Sequence, residues 1–213
     1  MQKFLRFLIG VLIALGVLVG IARLTALRWW RVPDDDPYLE ASLAPTLRGG
    51  DWVLVWRLTP PHRGDLALCP EPNAPERPVI GRIAGIGGDR LEVNGNTLRI
   101  NNRDAATERR CPAAEFTTED PQSGVATAQQ CDLEELGSRV HQRGNVPARH
   151  TSERVKVTLD AGEVFLLSDN RLFPYDSREF GPAKHESCKE TVVFRLFGKK
   201  GFGDVESRLM FIR

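Results

Sequence analysis

Three short runs hold the residues that could do chemistry together. The first is Ser42-Leu43-Ala44-Pro45-Thr46-Leu47, followed by Gly50-Asp51. The second leads from Gly64-Asp65 to Gly81-Arg82-Ile83-Ala84-Gly85-Ile86-Gly87-Gly88-Asp89. The third is Ser168-Asp169-Asn170-Arg171, continuing through Pro174-Tyr175-Asp176-Ser177-Arg178 to Gly181. A serine hydroxyl is a poor nucleophile until a neighbouring base takes its proton. Ser42 can therefore act only if a basic side chain meets it. Asp176 and Arg178 are of the types that pair to fix a loop. Taken alone, Ser-x-x-Pro-Thr also makes an ordinary turn, and Ser42 is expected in a Pro-restricted loop ahead of a β-type run.

The supply of bases is thin. The lysines are Lys3, Lys156, Lys184, Lys189, Lys199 and Lys200, so none lies between the Ser42 run and the end of the polar stretch near residue 153. Arginine stays protonated in proteins and is a poor base. His62, His141, His150 and His185 read as surface residues, since nothing in the sequence brings any of them to Ser42. No Cys-x-x-Cys or Cys/His cluster argues for a metal, and no cofactor is expected.

These runs must be positioned by the rest of a 213-residue chain, long enough for one sizeable domain or two small ones. The formal net charge of +1 gives no electrostatic case for nucleic acid. Phe7 to Ala22 is apolar throughout, and with its flank to Leu27 it reaches the roughly 20 residues of a spanning helix. Lys3 and Arg6 precede it, and Trp29 and Trp30 follow where interfacial aromatics belong. One membrane anchor is expected over residues 1–30, with the N-terminus cytoplasmic and the remainder outside. Arg23, Arg28 and Arg31 run against that orientation. Gly20-Ile21-Ala22 also offers the small-x-small pattern of a cleaved leader, but the length of the run and the tryptophan pair favour an anchor.

Past a short acidic linker, Pro33 to Pro37, the chain reads as mostly β. Strands are expected at 51–58, 66–69, 79–86, 91–93, 97–100, 163–167 and 191–197, and Asn94-Gly95 marks a hairpin. Pro70 to Pro78 reads as a loop. Trp52 and Trp56 share a strand face, with core as the default. Residues 101–153 are polar and poor in apolar periodicity, and read as a loop-rich inserted subdomain between two parts of one β domain, 31–100 and 154–213. Outside the cell, disulfides are allowed. Cys111 and Cys131 flank the polar insertion and are the favoured pair, whereas Cys69, inside an apolar run, reads as a buried thiol.

The three runs, in this order behind an apolar helix, resemble the type I signal peptidase family. Its hallmarks are S-M-x-P-T-L, K-R-V-x-G-x-P-G-D and G-D-N-R-x-x-S-x-D-S-R-x-x-G. The resemblance implies an antiparallel β domain behind a transmembrane helix in the inner membrane, facing the extracytoplasmic side. It also implies a serine endopeptidase that cuts preproteins after small residues at −1 and −3. By motif position Ser42 falls on the nucleophile, with its backbone amide as an oxyanion donor. Arg82 falls on the arginine beside the catalytic lysine, and Asp176, Ser177 and Arg178 on site-structural residues. Two departures bear on the chemistry. The lysine base position is Gly81, and the serine that orients that lysine is Pro174. Glycine cannot take a proton, and Pro174 has no donor. Leu43, Gly87 and Ser168 also replace the usual Met, Pro and Gly. Two functions are compatible with this pattern: peptidase-like action on signal peptides, or a pseudopeptidase that binds signal peptides, exported chains or an active paralogue at the membrane lipid surface.

Overall fold

The computed structural model describes residues 2–146 and 154–212. A first helix, α1 (Gln2–Thr25), is followed after one residue by β1 (Leu27–Arg31). Then come α2 (Pro37–Leu43), β2 (Trp52–Trp56), β3 (Leu66–Glu71), β4 (Ala74–Ile86), β5 (Arg90–Asn94), β6 (Thr97–Ile100) and β7 (Arg103–Asp104). The polar stretch supplies β8 (Thr107–Glu119), β9 (Ala126–Leu136) and β10 (Arg139–Asn145). The chain closes with β11 (Arg154–Thr158), β12 (Glu163–Leu167), α3 (Ser177–Phe180), β13 (Ala183–Lys184), β14 (Glu190–Phe197) and β15 (Met210–Phe211).

The fold is mainly antiparallel β. One sheet runs β1-β2-β14-β3-β4-β12-β13, with β15 on β14. A second is β11-β5-β6-β7 and a third β10-β9-β8. Alternation along the strands sorts the core. Val53 and Val55 of β2, Leu66 and Leu68 of β3 and Ile80 of β4 pack with Leu39 and Leu43 of α2. Ala67, Cys69, Val79 and Ile83 meet Val164 and Leu166. Leu91, Val93 and Leu98 meet Phe165, Leu167 and Leu136 of β9.

Several expectations change. Ser42 lies on a helix, not in a loop: Pro37 opens α2 where its missing N–H costs nothing, and the Asp36 carboxylate caps it by accepting from the Leu39 amide. The acidic residues 34 and 36 belong to the fold, since Asp34 accepts from Arg31 and Asp36 from Arg77. Trp29 and Trp30 lie in β1, paired with Leu54 and Val53. Trp52 and Trp56 are only half-buried; the core face of β2 carries Val53 and Val55. The Pro70–Pro78 stretch is a β3–β4 hairpin with Pro70 opposite Pro78 and a register shift beside it. Prolines are tolerated there because β14 pairs with β3 only at Ala67 and Leu68, so this end of β3 is an edge.

The segment expected to be loop-rich is a sheet. β8, β9 and β10 escape apolar periodicity because their buried positions are largely polar: Gln129, Glu134, His141, Arg143 and Asn145. Cys111 is bonded to Cys131 across this sheet. Cys69 is not a free thiol but is bonded to Cys188, tying β3 to the segment before β14.

Candidate functional site

The three sequence runs converge on the segment Ser168–Arg171, where the chain leaves β12. Asn170 ties in the first run: its amide donates to the Ser42 carbonyl at 2.9 Å and its side chain to the Ala41 carbonyl at 2.8 Å. Asp169 ties in the second. The buried Arg82 guanidinium grips it through Nε (3.0 Å) and Nη2 (3.1 Å), and Thr46 donates to it at 2.5 Å. The third run closes on itself. Asp176 is buried, accepts from the Ser168 amide at 2.8 Å and from Arg178 Nε and Nη2 at 2.9 and 2.7 Å, and caps α3. Burial opposes ionisation of Asp176, yet Arg178 and these amide donors outweigh it and hold its pKa below the usual carboxylate value. Ser177 Oγ accepts from the Leu166 amide at 3.0 Å. Asp176, Ser177 and Arg178 thus shape the loop.

Ser42 is fully buried, and its hydroxyl donates to the Leu39 carbonyl one turn back at 2.8 Å. Gly81 sits one step beyond the last β4–β12 pair, Arg82 with Leu167. A Cβ at position 81 would stand 3.2 Å from Leu166 Cβ and 3.4 Å from the Leu167 backbone. Arg82, its neighbour, is committed to Asp169 and to the Gly64 carbonyl. Pro174 is half-buried between Asn170 and Asp176.

Sequence reasoning missed one cluster. His141 is not a surface residue: it is buried on β10, with Nε2 3.4 Å from Glu134 Oε2 and 3.7 Å from Asp169 Oδ1. Burial pushes its pKa down, against the pull of Glu134, so the ring is neutral at neutral pH. Glu134 also binds the buried Arg171 and lies 3.3 Å from Arg143 Nη1. Burial alone would raise its pKa; Arg171, His141 and Arg143 instead hold it down to about 2. The Gly144 amide donates to the Asp169 carbonyl and the Arg171 amide to the Gly144 carbonyl, so β10 is stitched to the segment that holds Ser42. Alternate polar residues at 141, 143 and 145 were the only available signal, and alternation of polar residues reads as exposure. Of the other histidines, His62 is exposed, His185 is half-buried with Nε2 3.1 Å from the Pro61 carbonyl, and His150 lies outside the described residues.

An antiparallel β framework thus docks the serine-bearing helix α2 onto an Asp/Arg-stapled loop, with no lysine in the second run. A family described as signal peptidase, peptidase S26, matches residues 5–197, and the chain belongs to that family. Relatives include signal peptidase I V of Bacillus subtilis (strain 168), 24% identical over 150 residues that cover 68% of this chain and 75% of that protein. Signal peptidase I of Bacillus caldolyticus is 27% identical over 165 residues, 76% and 78% of the two chains. Among solved structures, a signal peptidase I from Enterococcus faecalis V583 aligns with a TM-score of 0.40 at 21% identity, covering 62% of this chain and 96% of that one.

Proposed function

We propose that this protein acts on the signal peptides of exported proteins at a membrane surface, by holding them rather than by cutting them with a Ser–Lys dyad. One observation carries the reading: the Ser42 hydroxyl is sealed and donates to a backbone carbonyl, while the place of the base is Gly81. Without proton removal the hydroxyl is a weak nucleophile. Arg82 cannot substitute, and His141 is turned to Glu134 and Asp169.

A place for an extended peptide lies beside the start of α2, the helix that carries Ser42. β12 pairs with β4 only from Arg82 onward, so among the described residues the β4 segment 74–81 has no strand on that side. Between this edge and residues 33–39 lies a cleft of about 540 Å³, lined by Tyr38, Leu39, Arg77 and Pro78 among others. An extended peptide adds to such an edge through main-chain hydrogen bonds. α1 is long and apolar enough to cross a membrane over Phe4–Ile21 and its side chains there pack against nothing else in the fold. In this reading it is a single-pass anchor with the domain on the extracytoplasmic side. An exported chain or an active paralogue would use the same edge.

The test is binding and cleavage of a preprotein with an Ala-x-Ala site by the full chain in detergent. Saturable binding without cleavage, unchanged by Ser42→Ala, is the expected result. Robust cleavage abolished by Ser42→Ala would sink the binding reading and reveal a base.

A further inference from the structure

The arginines just beyond α1 oppose the usual charge bias of a membrane anchor, and the proposed function gives them no task. In the structure Arg28 lines a second cavity of about 480 Å³, with Trp30, Arg57, Lys189, Glu190 and Glu76. We infer that this cavity holds the phosphodiester headgroup of an anionic phospholipid, an inference that rests on α1 being a membrane anchor.

Position comes first. α1 ends at Thr25. Three extended residues span at most about 10 Å, so Arg28 lies within about 10 Å of the end of α1, close enough for its long side chain to reach back into the polar layer that flanks the hydrocarbon core. Arg57 is held at the same level, because its amide donates to the Ala26 carbonyl at 3.0 Å. Trp30 supplies the amphipathic ring that favours this depth.

Charge comes second. Glu190 stands between the two arginines, 2.5 Å from Arg28 Nη2 and 3.4 Å from Arg57 Nε. Three cations face two carboxylates, leaving one net positive charge, the match for a phosphodiester monoanion. Lys189 is exposed and has no ion pair among the described residues. Arg28 Nε is buried with no hydrogen-bond partner. A headgroup phosphate satisfies the free ammonium, and the phosphate–arginine geometry is favourable.

The test uses the full chain in detergent with equal phosphatidylglycerol and phosphatidylcholine, reading retained lipid by native mass spectrometry. Preferential retention of phosphatidylglycerol is expected. Arg57→Gln with Lys189→Gln should cut that preference by about fivefold per cation removed. Both residues lie at the surface, so the variant is expected to fold; an unchanged melting temperature checks this. Equal retention of the two lipids, or a preference untouched in the double variant, overturns the inference. Displacement of phosphatidylglycerol by millimolar inorganic phosphate also overturns it, in favour of a free-phosphate site. Carbonate extraction of membranes separates the two layers. Release of the chain sinks the anchor reading itself, whereas a retained chain without lipid preference sinks only this inference.

Discussion

The Ser42 hydroxyl donates a hydrogen bond to the Leu39 carbonyl, and both residues are buried in α2. Ser42→Ala removes one neutral hydrogen bond and should cost only about 1 kcal/mol, visible as a small fall in urea midpoint with peptide binding intact. Gly81→Lys is different in kind. Its Cβ must press on Leu166 at 3.2 Å before the chain can extend, so the variant should lose stability by about 1–3 kcal/mol. Restoration of cleavage by Gly81→Lys with Pro174→Ser would mean the rest of the dyad site is intact. The buried carboxylate Glu134 contributes to the acid response, as does Asp176. The folded pKa of Glu134, about 2, lies below its ordinary value of 4.5, so its stabilisation is full above pH 4.5 and is lost as pH falls toward 2. His141, also depressed, adds stability above its ordinary 6.5 that is lost as pH falls through its folded value. Urea titrations at several pH values should show stability falling on acidification, with a shallower slope below pH 4.5 in Glu134→Gln. That variant should also be weaker at pH 7, because Arg171 loses its partner.

At the scale of elements, the decisive joints are between segments distant in sequence. Arg82 on β4 and Asp169 after β12 form a pair with side chains 1% and 0% exposed. Removing one partner leaves an uncompensated buried charge, so Arg82→Met should cost about 3–5 kcal/mol, measurable by chemical denaturation, and loosen the Asn170 contacts to α2. The sheet β8–β10 is closed by Cys111–Cys131, 20 residues apart. Replacing both cysteines with serine should cost about 3 kcal/mol and raise amide exchange first in β8 and β9. Most strands of the main sheet were legible, because their valines, isoleucines and leucines alternate or run together. The third sheet was not, because its interior is an ionic cluster. The Pro70–Pro78 hairpin was hidden by prolines that only an edge position excuses.

The molecule as a whole is a β domain joined to an apolar helix with a single residue, Ala26, between α1 and β1. The corner of the domain next to α1 carries Arg28 and Arg57. If α1 is the anchor, residues 1–26 should resist carbonate extraction with the intact mass of the full chain. A chain lacking residues 1–22, cut after Ala22, would be a processed leader rather than an anchor, and intact mass of the membrane fraction reads the difference.

The sequence alone determined the family, the apolar helix, the antiparallel β class and the absence of a lysine at the second motif. Each of these is local: a motif is a fixed order of side chains, hydropathy is a property of a run, and glycine lacks a base in any fold. Tertiary structure alone decided that Ser42 is on a capped helix with its hydroxyl sealed, and that His141 is buried beside Glu134 and Asp169. It alone joined Cys69 to Cys188 across 119 residues and brought Arg57 and Lys189 to Arg28. Those facts depend on partners that the chain brings together only by burying its three apolar clusters, and burial turns polar side chains that would read as surface into paired ones.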